Sequence, residues 1–274
     1  SINLLQWFFA PRLIDSLYKV KEVSRSERPN LHRMVENICR KTGLKKPRVM
    51  LANIPLPNAF AYGSPRYGNR IAVTTGLLNN LEDEEVEAVL AHEIGHLKNR
   101  DVQVMMFASV LPAIFYYIGF TFMLSSWYSG GRRDAGGTVL IGLAAMALYF
   151  ILSLFVLSLS RFREYYADRH TVKTVDDGAR KLSEALAKIA TSETRTMRKG
   201  RSGGSSSFKS LFINDPDTAK GDAATISKYG GRLSDRALVD KLISKKLTGF
   251  DRFMEIFSTH PNMVKRLRAL QNIR

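Results

Sequence analysis

The chain has 274 residues, 45% of them hydrophobic and 24% charged, with a mean hydropathy of -0.13. That length can bury a core, and that composition excludes a disordered tail protein and a collagen-like repeat. The 41 Lys and Arg against 25 Asp and Glu leave a formal charge of +16, which points to an anionic partner, either nucleic acid or a lipid surface. The single cysteine, Cys39, cannot form an intrachain disulfide and suits a reducing compartment.

In chain order, Ser1–Ala10 is apolar through Leu4, Leu5, Trp7, Phe8 and Phe9 but too short to span a bilayer. It reads as the remnant of an upstream span, an interfacial anchor, or a plain apolar helix or strand, within a segment taken as residues 1–14. Pro29–Gly43 reads as a helix capped by Asn30, with Leu31, Met34, Val35 and Ile38 on one face and Gly43 as its stop. Cys39 lies beside that face and reads as a core residue. Arg48–Ile54 and Arg70–Thr75 read as short strands, and the Pro/Gly/Asn-rich Pro55–Asn69 between them as a hairpin or irregular edge. Glu82–Arg100 is a strong helix whose acidic first turn (Glu82, Asp83, Glu84, Glu85) complements the helix dipole.

No charged residue occurs over the 30 positions from Val102 to Gly131, nor over the 26 from Ala135 to Ser160. A bilayer core takes roughly 20 apolar residues in a helix, so Val104–Tyr128 and Thr138–Ser160 read as two spans. Pro112 is expected to kink the first, and Trp127 with Tyr128 to end it at the headgroups. The connector Ser129–Gly137 is short, so the spans form an antiparallel hairpin, with Gly119, Gly142, Ala144 and Ala145 allowing close packing. The competing reading is a pair of buried core helices in a soluble protein. Lys98 and Arg100 precede the hairpin, and Arg161, Arg163, Arg169, Lys173 and Arg180 follow it, whereas its loop offers Arg132 and Arg133. The positive-inside rule therefore places both flanks in the cytoplasm. The charge divides as +4 before the hairpin, +1 in its loop and +11 after it, which puts the excess against an anionic inner leaflet without nucleic acid. Beyond the hairpin, Gly178–Thr191, Ser234–Leu247 and Pro261–Asn272 read as helices, and Gly200–Ser207 as a flexible loop.

Chemistry concentrates at His92-Glu93-Ile94-Gly95-His96 in the Glu82–Arg100 helix. Residues i and i+4 share a helix face, so both imidazoles can hold one metal ion. Glu93 beside them can act as general base towards a water. The bland alternative is surface histidines beside a salt-bridging glutamate. A catalytic zinc takes three protein ligands and keeps one position open. His32, His170 and His260 are available as the third; Cys39, in an apolar face, is a poor donor. Glu164 is better placed, because it follows the second span by four residues and the hairpin returns it to the side where His96 ends. Asp168 is one turn further on the same face, where a carboxylate can hold the free N–H of a metal-bound imidazole. Pairing with the neighbouring arginines is the alternative for both acids.

Five blocks in order carry a family likeness: Asn58-Ala-Phe-Ala-Tyr-Gly63, Val73-Thr-Thr-Gly-Leu-Leu78, Ala91-His-Glu-Ile-Gly-His-Leu-Lys-Asn-Arg-Asp101, Ser160-Arg-Phe-Arg-Glu-Tyr-Tyr-Ala-Asp168 and Ser258-Thr-His-Pro-Asn262. Together they resemble the HtpX family of membrane-embedded zinc metallopeptidases, related to the CAAX prenyl proteases. The Lys98–Asp101 tail sits closer to the HtpX branch. The resemblance implies zinc held by His92, His96 and Glu164, Glu93 as base, and Asp168 orienting a zinc histidine. It also implies that Asn58 lies on an edge strand that binds substrate by strand addition, and that His260 stabilises the oxyanion. It implies two further spans upstream of this chain's first residue. Tyr62 stands where the family often has Thr.

The expected fold is therefore mainly α with a small β-sheet, an α+β zincin-like catalytic domain in two pieces (residues 15–103 and 161–274), interrupted by a transmembrane helical hairpin at 104–160. The expected function is a multi-pass cell-membrane zinc endopeptidase facing the cytoplasm, acting on membrane proteins or peptides at the bilayer, with one zinc per chain and no nucleic-acid partner. A CAAX-type prenyl-protein protease and a non-cleaving zinc-bearing membrane scaffold are the alternatives.

Overall fold

The computed structural model describes residues 2–128, 135–198 and 234–273. The expected Gly200–Ser207 loop and most of the hairpin connector lie outside the described residues. Four strands, β1 (Val20–Glu22), β2 (Arg48–Ala52), β3 (Ala59–Ser64) and β4 (Gly68–Thr74), form a mixed sheet ordered β1-β2-β4-β3. The two expected strands are β2 and β4, and they run parallel in register from Arg48↔Arg70 to Ala52↔Thr74. The Pro/Gly-rich stretch between them supplies β3, which turns at Gly68 (φ 71°) and pairs antiparallel with β4, leaving β3 as an edge. Period-two alternation divides the sheet's side chains. Val49, Ala59, Ile71 and Val73 enter the main core, whereas Met50, Phe60, Tyr62 and Ala72 form a second cluster with Tyr18.

The apolar N-terminus is a helix, α1 (Ile2–Leu17), longer than its apolar stretch. It is tied to the sheet by Asp15, which pairs with the buried Arg70 and accepts from the Tyr62 hydroxyl at 2.7 Å. Trp7 Nε1 donates to the Gly63 carbonyl at 3.1 Å. Helix α2 (Pro29–Thr42) starts one residue before the expected cap: Pro29 holds the first turn, where its missing N–H costs nothing. Asn30 therefore lies inside the helix and accepts from Arg33 at 2.9 Å. Gly43 ends α2 in the left-handed region, φ 69°.

After the short α3 (Thr75–Asn80) comes α4 (Asp83–Lys98), the metal-motif helix. Its start is fixed reciprocally, with the Glu82 N–H donating to Glu85 Oε2 at 2.8 Å. The first charge-free stretch is two helices, α5 (Asp101–Ala108) and α6 (Val110–Tyr128). The expected kink at Pro112 becomes a break one turn earlier, at Ser109. Proline has no N–H for the carbonyl four residues back, and its ring crowds that carbonyl. Helix α7 (Ala135–Thr174) is one uninterrupted 40-residue rod joining the second apolar stretch to Glu164 and Asp168. A Cβ on Gly119 would fall 2.8 Å from Met146 Cγ and 3.1 Å from the Gly142 carbonyl, so α6 and α7 meet where the sequence placed small residues. Asp101–Tyr128 and Gly136–Thr174 are each long and apolar enough to cross a membrane, and only 11% of either apolar window is buried. Interior helices of a soluble core would be mostly buried.

Helices α8 (Gly178–Arg198), α9 (Asp235–Ser244), α10 (Gly249–Ile256) and α11 (Met263–Asn272) complete the described chain. Leu182, Leu186 and Ile189 of α8 pack with α4 residues Val86, Val89 and Leu90 and α11 residues Leu267 and Leu270 in the main core. Pro261 precedes α11 rather than opening it; Asn262 is the cap, accepting from Val264 N–H at 3.0 Å.

Helices α4 and α7 cross at Gly95, inside the motif. A Cβ there would lie 3.2 Å from His170 Nδ1 and 3.3 Å from Ala167 Cα. A branched side chain would push the two ligand-bearing helices apart. Gly95→Val is therefore expected to cost about 1–3 kcal/mol by overpacking, read as earlier thermal unfolding in detergent.

Candidate metal centre

The crossing brings α4 and α7 donors together. His92 Nε2 and His96 Nε2 are 3.1 Å apart, with Glu164 oxygens 3.5 Å and 3.6 Å from them respectively. A tetrahedral ion with bonds of roughly 2.0–2.1 Å holds its ligands about 3.3 Å apart, so this triangle fits one metal ion. His260 Nδ1 is buried without a hydrogen bond, and Glu164 Oε2 is held by ion pairing rather than by a hydrogen bond, with Arg266 at 3.2 Å. His92, Glu93 and His96 can also hold an ion by donor spacing alone.

The outer nitrogens of both imidazoles face carboxylates. His92 Nδ1 is 3.0 Å from Asp168 Oδ1, and His96 Nδ1 is 2.5 Å from Asp101 Oδ2. With each Nδ1 donating to a carboxylate, both Nε2 lone pairs point at the common centre. Asp168 takes the place expected from its helical spacing. Asp101 was not singled out: it lies past the end of α4, and the chain turns it back through Arg100 at φ 55°. Its only sequence signal is position, five residues after the second motif histidine.

Arg266 of α11 was also missed. It is 1% exposed and grips Asp168 with two hydrogen bonds, Nε to Oδ2 at 2.8 Å and Nη2 to Oδ1 at 2.7 Å, with Nη1 3.2 Å from Glu164 Oε2. Its Nη2 is nearly equidistant from the two His92 nitrogens, 3.3 Å and 3.1 Å, so the guanidinium lies over the ring; in the ring plane it would overlap Cε1. Nothing in the sequence separates Arg266 from the other basic residues. Arg163 Nε lies 3.1 Å from Asp101 and balances that acid in the same way.

Burial and the Arg266 charge push the His92 pKa down, but hydrogen bonds to Asp168 and Glu164 outweigh them and lift it to about 9 in the metal-free protein. Burial raises the Glu93 pKa, against the opposing influence of His96 and His92. Glu93 Oε2 accepts from Ala61 N–H at 3.0 Å, which fixes this acid against β3. A cavity of about 290 Å³ opens here, lined by Ala59, Phe60 and Ala61 and by the metal-motif side chains, Glu164 and His260. His260 Nδ1 is 3.5 Å from Glu164 Oε1. Asn58 stands one residue before β3, buried, with its N–H donating to Thr74 Oγ1 and its carbonyl accepting from Thr74 N–H, both at 2.9 Å. Of the remaining candidates, His32 is bonded to the Val23 carbonyl and Lys46, and His170 to the Ala91 carbonyl.

Two histidines one turn apart, a glutamate from a second helix and an acid beside them are a donor set that suits a metallopeptidase. The model of Peptidase family M48 matches residues 25–274, and the chain belongs to this family. Its relatives include the Protease HtpX homolog of Thermoplasma acidophilum, 35% identical over all of this chain and 83% of that protein. That of Aeropyrum pernix is 37% identical over the same shares, and that of Methanothermobacter thermautotrophicus is 43% identical over 69% of this chain and 70% of its own. Among solved structures, S. mikatae Ste24p shares the fold at a TM-score of 0.56 and 19% identity; the match covers 98% of this chain, which spans 55% of Ste24p.

Asp101→Asn and Asp168→Asn are each expected to weaken metal binding about 10–100-fold, measured by titrating the apo-protein with zinc against a competing chelator. Arg266→Met leaves Asp168 buried and uncompensated, and is expected to cost about 3–5 kcal/mol of stability in denaturant unfolding.

Proposed function

We propose that this chain is a membrane-bound, zinc-dependent endopeptidase of HtpX type that cleaves misfolded or damaged membrane proteins at the cytoplasmic face. The observation that carries the reading is the convergence of His92, His96 and Glu164 beside Glu93, in a cavity walled by an edge strand. The catalytic domain is one unit in two sequence pieces, 15–103 and 161–274, with the hairpin of residues 104–160 crossing the bilayer. Supporting this placement are the exposed apolar faces of α6 and α7 and the +11 charge of the part that follows them.

His92, His96 and Glu164 hold the zinc, whose chemistry when bound is Lewis-acid polarisation of a carbonyl and acidification of water. Substrate lies extended along β3, which among the described residues has no strand neighbour on its outer side. Asn58 sets the entry to that edge. Trp7 occupies the Gly63 carbonyl and Glu93 the Ala61 N–H, so a substrate strand on this edge must share or displace those two contacts. Glu93 takes a proton from the attacking water and passes it to the leaving amine nitrogen. A raised pKa suits that two-way traffic. His260, which lines the same cavity as Glu93, donates a hydrogen bond to the developing oxyanion. Asp101 and Asp168 keep the imidazoles in the ligating tautomer.

Glu93→Gln is expected to keep stoichiometric zinc while lowering cleavage about 10²–10⁴-fold, read by mapping cut sites in membranes carrying either form. Cleavage by the variant at the wild-type rate would falsify the mechanism. Cutting of prenylated C-terminal peptides but not of unprenylated membrane proteins would favour the CAAX-type alternative, and zinc-loaded protein that cuts neither would favour the scaffold.

A further inference from the structure

Helix α10 shows a face that its role in a soluble fold does not account for. Phe250, Phe253, Met254 and Phe257 recur at the i, i+3, i+4, i+7 spacing of one helix face, and among the described residues they are 70%, 56%, 45% and 44% exposed. The opposite face carries the buried Glu255, paired with Lys265. The apolar face is continuous with the charge-free part of α7: the Phe257 and Phe150 rings lie 6.5 Å apart, centroid to centroid. On the Glu255 side of α10, a cavity of about 310 Å³ among α7, α10 and α11 is lined by Arg161, Arg252 and Lys265 and the acidic Glu255, together with Phe162 and Tyr165. Aromatic side chains below a rim of basic ones match the boundary between acyl chains and anionic headgroups.

We propose that α10 is a lipid-docking helix: its phenylalanine face enters the acyl–headgroup boundary of an anionic bilayer beside α7, and the Arg161–Arg252–Lys265 rim receives lipid phosphates. The proposal rests on the membrane reading above and deepens it by adding a monotopic contact to the hairpin. It also ties the lipid surface to catalysis. Arg161 Nη1, at the membrane end of α7, donates to the carbonyls of Glu255, Ile256 and Ser258 at 2.9, 3.1 and 2.8 Å. The chain then reaches His260 within two residues, where Ser258 Oγ donates to the His260 carbonyl at 2.9 Å. Seating α10 on lipid therefore fixes the turn that presents His260 to the cavity.

The test is a nitroxide label in the full chain, in a Cys39→Ala background, reconstituted in vesicles of phosphatidylcholine and phosphatidylglycerol. Labels at Phe253→Cys, at Leu148→Cys in the charge-free stretch and at the exposed Lys45→Cys report lipid and water environments through the ratio of oxygen to nickel-chelate accessibility. The Phe253 label is expected to show a ratio several-fold above that at Lys45 and close to that at Leu148, and a lower ratio in phosphatidylcholine alone. A Phe253 ratio like that at Lys45, with Leu148 lipid-like, overturns the docking helix and leaves the membrane reading standing. A water-like ratio at Leu148 overturns both. A Phe253 label shielded from both probes would show that protein, such as residues 199–233 of this chain, covers the face, and overturns the proposal. A ratio unchanged in neutral vesicles would overturn the phosphate-binding rim.

Discussion

Side chains on two helices, with 67 residues between His96 and Glu164 in sequence, must bring two imidazole nitrogens and a carboxylate together at contacts of 3.1–3.6 Å, and that requirement shapes the half of the molecule around them. Helices that cross through large side chains sit 8–10 Å apart between axes. A glycine in the crossing lets the backbones come closer, and here Gly95 lies between His92 and His96. The remaining structure braces that crossing. The acidic first turn of α4 is tied to α8 through Glu85 and Lys188, at 2.8 Å. Helix α11 inserts Arg266 between the two acids of α7. The edge strand β3 reaches the same point from the other side through the Ala61 N–H. Each brace comes from a different part of the chain, so the centre assembles only when the fold is complete.

The same crossing gathers Glu93, Asp101, Glu164 and Asp168, all at most 6% exposed, into one small volume. Carboxylates so buried repel one another unless cations are buried with them. Arg266 and Arg163 supply part of that compensation, and a divalent ion would supply more. Arg266 does so from a contact with both His92 nitrogens, where its charge disfavours imidazolium, while its Nη1 faces Glu164. Electrostatic balance and ligand chemistry are thus served by one side chain.

The parts of this arrangement legible in the sequence were those that repeat at a fixed local period. His92 and His96 are one turn apart, as are Glu164 and Asp168, and the charge-free stretches announce themselves by what they lack. The hairpin topology even indicated that Glu164 would return to His96. Asp101 escaped because its partnership crosses a helix end and depends on a left-handed Arg100. Arg266 escaped because a buried arginine looks like a surface one until its partners are known. The edge strand lies in a Pro/Gly-rich segment legible only as a hairpin or irregular edge, because its strand character comes from pairing with β4 and from packing Phe60 and Tyr62 against Tyr18. Helix α10, with its phenylalanines outward, was missed for the opposite reason: its apolar periodicity does not face the core.

The uninterrupted course of α7 has a geometric consequence. Glu164 lies four residues beyond Ser160, the last residue of the charge-free stretch, and at 1.5 Å per residue that is a rise of about 6 Å. With no hinge in the rod, the cutting position in a chain seated as proposed is held at a set height above the bilayer. A folded globular domain is far wider than that gap and cannot be threaded into it. Selection would then fall on the state of the substrate rather than on its residues: a stretch is cut when it lies loose and extended along the membrane surface, which a correctly folded membrane protein does not offer.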